Sequence, residues 1–398
     1  MITMNKLEQL IKELCPNGVG YKKLSDIATV ARGVRVVRDQ LAETGDIPVY
    51  QNSIKPLGYY DKSNVKGYSA FVIGAGAAGE IGFSDVDFWA ADDCYYFLCP
   101  DNLNNRYLYF VLMKNQPLIL SRVRKASIPR LSRTVIENLV IPVPPLEVQA
   151  EIVKILDNFT ELTAELTAEL TARKKQYEYY RDLLLDFGVH GGGTSECEWR
   201  TVTLLDMLCQ PITDGPHTTP TFVDKGIPFV SVDSVWDGRI HFENMRGYIT
   251  EEFDLECCKK YKPQKHDVYM VKSGSTTGKD AYVATDQRFN IWSPLAAMRV
   301  NENNSSRYLY HLLQSKRIQE MVKAKVSHGS QPNLGMRELE KFEVTIPPLV
   351  EQLRIVEILD RFDKLCNDIS EGLPAEIEAR RKQYEYYRDK LLTFKEVQ

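Results

Sequence analysis

The feature that most constrains this chain is that it repeats itself. Ala172–Asp182 reads ARKKQYEYYRD and Ala379–Asp389 reads ARRKQYEYYRD, differing only at Lys174 and Arg381. Upstream of the first, Pro144-Pro145-Leu146 leads to Gln149, Ile152-Val153 and Ile155-Leu156-Asp157. Upstream of the second, Pro347-Pro348-Leu349 leads to Gln352, Ile355-Val356 and Ile358-Leu359-Asp360. The correspondence continues further back in fainter form. Arg106-Tyr107-Leu108-Tyr109 matches Arg307-Tyr308-Leu309-Tyr310; Ser127, Pro129 and Leu131 match Ser330, Pro332 and Leu334; Trp89 matches Trp292. A repeat of this kind is read before any fold is assigned. It implies two copies of one architecture in which a helical segment stayed nearly constant while the block before it diverged.

The constant segments read as long helices. Apolar residues fall at Ile152, Ile155, Phe159, Leu162 and Leu166, and again at Ile355, Ile358, Phe362, Leu365 and Ile369, in alternating steps of three and four. That is a heptad seam, and plain core packing produces the same stripe. The expectation is that the two seams cover each other. Each helix has room for about 40 residues, roughly 60 Å at 1.5 Å per residue. The first contains the tandem Thr163-Ala164-Glu165-Leu166, Thr167-Ala168-Glu169-Leu170, and four residues add about 6 Å and roughly one turn. The second carries Gly372 and Pro374, which predict a short break with Pro374 opening the second piece. Beyond Phe187-Gly188 the run Gly191-Gly192-Gly193 reads as a flexible hinge.

The diverged blocks, about 19–143 and 199–346, show short β-like runs such as Ile47–Tyr50, Ala70–Ile73, Cys94–Leu98, Ile227–Val232, Asp267–Val271 and Leu295–Val300, punctuated by Gly, Asn and Asp. A helix near Arg106–Leu120 closes the first and one near Ser306–Val326 the second. The fold class is therefore α+β, two similar domains each joined to a long helix. The expected boundaries are residues 1–143 for the first domain with a short amphipathic helix at Met1–Leu14, 144–187 for its long helix, and 188–198 for a linker. The second domain is expected over 199–346 and its helix over 347–394.

Composition narrows the class. Lys and Arg number 50 against 54 Asp and Glu, a net charge of −4. That argues mildly against a nucleic-acid binder, but net charge averages over faces, so clustering decides. No stretch reaches the length of a membrane span, and the N-terminal helix, with Leu7, Leu10, Ile11 and Leu14 on one side, lacks the apolar region of a signal peptide. The cytoplasm is the expected location. The eight cysteines form no Cys-x-x-Cys pair, so reduced thiols rather than a metal site are expected. The vicinal Cys257–Cys258 pair has no evident reason.

Two motifs resemble chemistry and are set aside. Gly74-Ala75-Gly76-Ala77-Ala78-Gly79 fits G-x-G-x-x-G, but a dinucleotide site needs a helix next, and Glu80–Leu98 has strand-and-turn character. His190-Gly191-Gly192-Gly193 resembles a lipase oxyanion loop, yet no G-x-S-x-G elbow accompanies it. No other catalytic signature stands out, and neither a cofactor nor a metal is expected.

Positive charge recurs at matching places. Arg122, Arg124, Lys125, Arg130 and Arg133 cluster in the first block; Lys316, Arg317, Lys323, Lys325 and Arg337 occupy the matching stretch of the second. Beside them lie Ser127 and Ser132, then Ser327, His328, Ser330, Gln331 and Asn333. Lys and Arg neutralise phosphates, while Ser, Asn, Gln and His reach base edges. A charge run alone is usually a solvated face; its recurrence in both halves makes DNA contact the better reading. Arg32, Arg35 and Arg38, the loop from Thr213 through Asp214, Gly215 and Pro216 to His217, and the loop of Lys272, Ser275, Thr276 and Lys279 are further candidates for the same surface.

Taken together, the chain resembles the specificity subunit of type I restriction-modification systems, over nearly all its length. The resemblance is carried by the repeated Pro-Pro-Leu…Gln…Ile-Val…Ile-Leu-Asp and Gln-Tyr-Glu-Tyr-Tyr-Arg-Asp segments and by the Thr-Ala-Glu-Leu tandem. Thr213-Asp214-Gly215-Pro216-His217 and Gly226-Ile227-Pro228-Phe229-Val230 add to it. It implies that each block is a target-recognition domain reading half of a bipartite DNA site in the major groove. It implies that the long helices pair as an antiparallel coiled coil and set the spacer between half-sites. It also implies two adenine-N6 methyltransferase subunits and two motor-nuclease subunits as partners, and a chain that is itself non-catalytic. A direct repeat with antiparallel helices presents two equivalent surfaces about a pseudo-twofold axis. Tyr179, Arg181, Tyr386 and Arg388 are the candidates to meet partners there, whereas Tyr177, Tyr180, Tyr384 and Tyr387 are expected in the seam. The rivals are a stand-alone DNA-binding protein and a nucleotide-dependent oxidoreductase built on Gly74–Gly79.

Overall fold

A computed structural model describes residues 2–186, 199–327, 332–368 and 372–397. The chain divides into two units: one holds the residues up to Leu166 together with those from Ile377 onward, the other Thr167–Glu376.

In the first unit a four-stranded antiparallel sheet runs in the order Thr29–Arg32, Cys94–Leu98, Ser69–Ile73, Ile81–Ser84. Strand Ser69–Ile73 is buried at every position, as its unbroken apolar run Ala70–Ile73 requires when both faces are covered. Helix Asn105–Ser121 lies on one face and buries Tyr107, Leu108, Phe110, Val111 and Leu112. Its N-terminus is fixed by Asn104, whose side chain accepts from the amides of Arg106 (2.8 Å) and Tyr107 (3.1 Å). A three-stranded sheet follows the order Gly58–Tyr60, Ile47–Tyr50, Trp89–Ala90, its last pair parallel. Tyr21–Lys23 pairs with Val140–Pro142 at the base.

The second unit repeats this plan strand for strand. Its four-stranded sheet is Thr213–Asp214, Leu295–Met298, Val268–Val271, Asp280–Tyr282, and its three-stranded sheet is Gly247–Ile249, Ile227–Val230, Asn290–Ile291, again with a parallel last pair. Arg200–Thr203 pairs with Glu343–Ile346. Hairpin Val235–Ile240 and helix Glu251–Cys258 are its own. The helix expected over Ser306–Val326 is two, Ser306–Gln314 and Lys316–Lys325. Ser315 between them is extended and its hydroxyl caps the second helix; a capping serine competes with continuation of the first helix.

The first long helix runs unbroken for 40 residues, Leu146–Leu185, through the Thr-Ala-Glu-Leu tandem. The second is interrupted, as Leu349–Asn367 and Leu373–Leu391, with Pro374 in the first turn of the latter. Gly372 at the break has no room for a side chain: a Cβ there would stand 2.6 Å from the Lys364 carbonyl oxygen. In the first unit Phe159 stacks on Tyr387, centroids 5.3 Å apart. In the second, Phe362 stacks on Tyr180 at 5.6 Å. These are one contact made twice with the partners exchanged, as antiparallel pairing of the two helices requires.

The apolar stripes are not one continuous helix–helix seam, however. Ile152, Ile155 and Ile355 are buried in the cores of their own units, because the opening turns of each long helix are packed onto the block that precedes them. Leu162 and Leu365, further along, are exposed, and Ile369 lies outside the described residues.

Each block is clamped to its helix by the same buried groups. The Gln149 side chain donates to the Pro144 (2.7 Å) and Asn102 (3.0 Å) carbonyls and accepts from the Asn104 amide (2.8 Å). Gln352 donates to the Pro347 carbonyl (3.0 Å) and to the Asn304 side chain (2.9 Å), and accepts from the Ser305 amide (2.9 Å). Arg106 pairs with Asp157, Arg307 with Asp360. This explains why Gln, Arg and Asp recur with the apolar residues: they satisfy backbone and charge where helix meets block.

Candidate nucleic-acid interface

The surface that both units build from the same parts begins at the Gly74–Gly79 loop. It closes on itself when the Gly79 amide donates to the Ile73 carbonyl (2.8 Å), and the Gln116 side chain holds the Gly79 carbonyl (3.3 Å). A strand follows, Ile81–Ser84. There is no helix N-terminus for a pyrophosphate, so the dinucleotide reading loses its site.

The Gly74–Gly79 loop instead receives the basic segment. Arg124 and Arg130 exchange backbone hydrogen bonds (2.8 and 3.2 Å) and pinch Lys125–Pro129 into a hairpin loop. That loop docks through Gly76 amide to Pro129 carbonyl (3.1 Å) and Leu131 amide to Gly74 carbonyl (2.8 Å). Asn52 closes on the other side, its carbonyl accepting from the Ala77 amide (2.9 Å). Gly76 sits at φ +83°, where a Cβ would lie 2.8 Å from Asn52 Cβ, so the two flanking loops approach because this position has no side chain.

Arg122, Arg124, Lys125 and Arg130 are all exposed and none has an ion-pair partner among the described residues. Arg32, at the end of strand Thr29–Arg32, and Arg35, on the loop after it, are exposed; Arg32 bonds the Asp92 carbonyl and lies 3.9 Å from Asp93. The 51–55 loop, brought to the same place, was not singled out from the sequence. Its short polar run carries no periodicity, and it is linked to the neighbouring loops by the Asn52–Ala77 backbone bond and by Gln51, whose side chain donates to Asp92 (3.4 Å).

The second unit makes the same joint. Gly278 amide donates to Val271 carbonyl (2.8 Å), and Gln319, the counterpart of Gln116, holds the Gly278 carbonyl (3.1 Å). Gly274 amide donates to Pro332 carbonyl (2.9 Å), Leu334 amide to Lys272 carbonyl (2.7 Å), and Ser327 amide to Asn333 carbonyl (3.1 Å). The side chains differ. Ser273 donates to the Asn333 amide oxygen (2.7 Å). Ser275, Lys279, Lys323 and Asn333 are exposed, Thr276 is half-buried, and Lys325 lies 3.6 Å from Glu338. His328, Ser330 and Gln331 lie outside the described residues, as do the 188–198 linker and His190–Gly193.

One expectation is corrected here. Lys272 is not a free phosphate contact: it is nearly buried and forms an ion pair at 3.2 Å with Asp214, which is buried and also bonded by Lys260. An uncompensated buried carboxylate is costly, so Lys272 serves the fold. Asp214 also gathers the loop that Thr213 begins, since His217, well exposed, points back to it at 3.5 Å. Thr213 itself is half-buried in a strand beside Ala297.

On the long helices the aromatic residues divide by face. Tyr179 and Tyr386 stand outward, 63% and 61% exposed, whereas Tyr177 is buried, its hydroxyl 3.0 Å from His311 Nδ1. Burial holds that imidazole below its ordinary pKa although Asp360 lies 2.7 Å from its other nitrogen. Arg181 and Arg388 are not offered to a partner as expected. Their side chains are 12% and 13% exposed, pair with the adjoining Asp182 and Asp389, and lie over Tyr177 and Tyr384. Beside Tyr179 a surface recess of about 390 Å³ is lined by Asp182, Leu183, Lys316, Arg317 and Glu320.

Among the described residues no helix is long and apolar enough to cross a membrane, and no cluster of His, Cys, Asp and Glu could hold a metal.

Comparison with known proteins agrees with this duplicated architecture. The chain is 39% identical over 255 residues to the specificity subunit of an Escherichia coli type I restriction enzyme, a match covering 64% of this chain and 61% of that subunit. It is 32% identical to a Haemophilus influenzae chain assigned as a type I restriction enzyme specificity subunit, over 94% of this chain and 96% of the other. The fold is similar to the crystal structure of a type I restriction-modification S subunit from M. genitalium, with TM-score 0.61, 16% identity, and coverage of 94% and 96%. The family model for the type I restriction modification DNA specificity domain matches twice, at residues 16–173 and 199–379, once per repeat, and the chain belongs to that family of type I specificity subunits.

Proposed function

We propose that this chain is a non-catalytic DNA reader that recognises a bipartite, asymmetric duplex target, with one half-site per block. The blocks are residues 1–143 and 199–346, the helices 144–187 and 347–394 join them, and 188–198 is the linker. The observation that carries the reading is the twice-built loop joint. Four of its backbone bonds recur in both units, while its exposed side chains are unlike: arginines and a lysine in one, hydroxyls, an amide and lysines in the other. A constant frame with changed side chains is what two readers of different base sequences need. The reciprocal helix contacts supply two like surfaces, and these suit two copies of an adenine-N6 methyltransferase, with two motor-nuclease subunits joining through them in the cytoplasm. Tyr179 and Tyr386, exposed at equivalent positions, are the anchors for the methyltransferases.

Selection of bound duplexes from a random pool by the full chain, co-expressed with its modification subunits, tests the reading. The expected result is two conserved blocks separated by a fixed unconserved spacer, and replacement of residues 199–346 by another such block changes one half only. A single continuous motif, or enrichment of none, contradicts it.

A further inference from the structure

The loops docked on Gly74–Gly79 and on Lys272–Gly278 share one frame, Ser-x-Pro-x-Leu, as Ser127–Leu131 and Ser330–Leu334. In both, the proline carbonyl and the leucine amide bond the neighbouring glycine-containing loop, and Leu131 and Leu334 are buried. Only the x positions differ: Ile128 and Arg130 in the first copy, Gln331 and Asn333 in the second. Ile128 is 54% exposed, between cations that have no ion-pair partner among the described residues. Ile54, 43% exposed, stands on the loop that flanks Gly76 from the other side. A lone aliphatic on a surface needs no explanation. Two of them on the loops flanking one glycine, within a basic rim, call for a ligand that is anionic at its edge and apolar at a point inside it. Duplex DNA has that chemistry in its major groove, where phosphates flank the 5-methyl group of thymine, and side-chain apolar contact is how that methyl is read.

We infer that Ile128 is a specificity-determining residue that packs on a thymine 5-methyl group in the half-site of the first unit, with Ile54 lining the same apolar spot. This rests on the DNA-reading function proposed above. The corresponding position of the second copy holds an amide, suited to hydrogen bonding with a base edge, so the two halves differ in kind of readout as well as in sequence.

The test is equilibrium binding of the full chain, with its co-purified modification subunits, to the selected duplex in which each thymine is replaced in turn by deoxyuridine. This removes the methyl and leaves the pairing edge intact. At one position in one half-site the native chain should lose affinity about fourfold, the effect of one methyl-sized apolar contact. Ile128→Ala should bind the thymine duplex correspondingly more weakly and not distinguish it from the deoxyuridine one. Indifference of the native chain to every methyl overturns the inference while leaving the DNA-reading function intact, as does a half-site without thymine. Equal loss by Ile128→Ala on both duplexes also overturns it, and marks Ile128 as a wedge between base steps. Failure to select any motif removes both proposals together.

Discussion

At the residue scale, the cations around the docked hairpin of the first unit differ from many charged groups in lacking an ion-pair partner among the described residues. Arg122, Arg124 and Lys125 stand exposed on the docked hairpin and the turn before it, whereas Lys272 and Arg299 are tied to buried Asp214 and Asp267. Each phosphate contact contributes about 0.9 to the slope of log affinity against log salt. Replacing Arg122, Arg124 and Lys125 by alanine should therefore lower that slope by up to about 3, read from binding isotherms at several salt concentrations. An unchanged slope places the DNA elsewhere.

A second residue-scale effect concerns stability. Asp280 is buried, one carboxylate oxygen is without a hydrogen-bond partner and the other accepts from Gln314 at 3.3 Å. Burial pushes its pKa up to about 7, with Arg181 and Asp363 the charged groups that also act on it. The folded state thus holds this proton more tightly than the unfolded chain, so its contribution is full below about pH 4 and is lost as pH rises towards 7. The advantage of Asp280→Asn over the native chain in melting temperature should therefore grow by several degrees between pH 5 and pH 8. Parallel melting curves across that range would show that Asp280 does not titrate there.

At the element scale, the clamps between block and helix carry a direct expectation. Gln149→Leu leaves the Asn104 amide and two carbonyls without their partner in a buried site, and should cost on the order of 2–3 kcal/mol in denaturant unfolding. A loss within experimental error would mean that water replaces the glutamine. The helices themselves were legible in the sequence, since a stripe that repeats with its polar neighbours reports a buried face. Even the break at Gly372–Pro374 could be read, because each residue has its own backbone restriction. The break at Ser315 could not: a serine inside a helix and a serine capping the next one look alike until the chain turns. Nor could the joint between Gly74–Gly79 and Arg124–Arg130 be read. It consists of backbone bonds between distant segments, and residue type does not reveal which segments meet, although Gly76 and the recurring Ser-x-Pro-x-Leu are suited to the joint. The Lys272–Asp214 pair was hidden for a related reason, as charges far apart in sequence give no sign of meeting. The tandem in the first long helix lies in an unbroken stretch, so removing Thr167–Leu170 shortens it by about 6 Å. On the proposed function this should shorten the spacer of the methylated motif by one or two base pairs (about 3.4 Å each) and leave both half-sites unaltered. A changed half-site would contradict a purely spacing role.

At the scale of the whole molecule, the argument is one of duplication with unequal divergence. Family membership, the matching sheet orders and the exchanged Phe–Tyr stacks all describe a chain built twice from one plan. What differs between the copies is concentrated in the exposed loops of the blocks, and what agrees lies in the long helices, at their buried clamps and along the largely exposed Gln-Tyr-Glu-Tyr-Tyr-Arg-Asp segment alike. On the proposed function, two like surfaces for identical partners and two unlike surfaces for DNA call for that division. The measurement that tests it most directly is a genome-wide map of adenine methylation in the source cells, with the chain present, absent, and carrying a foreign block in place of residues 199–346. The account predicts one asymmetric, two-part motif that is methylated with the native chain and unmethylated without it. With the foreign block, one half of the motif changes and the other persists. Methylation that is indifferent to the chain, or a block exchange that rewrites both halves at once, would contradict it.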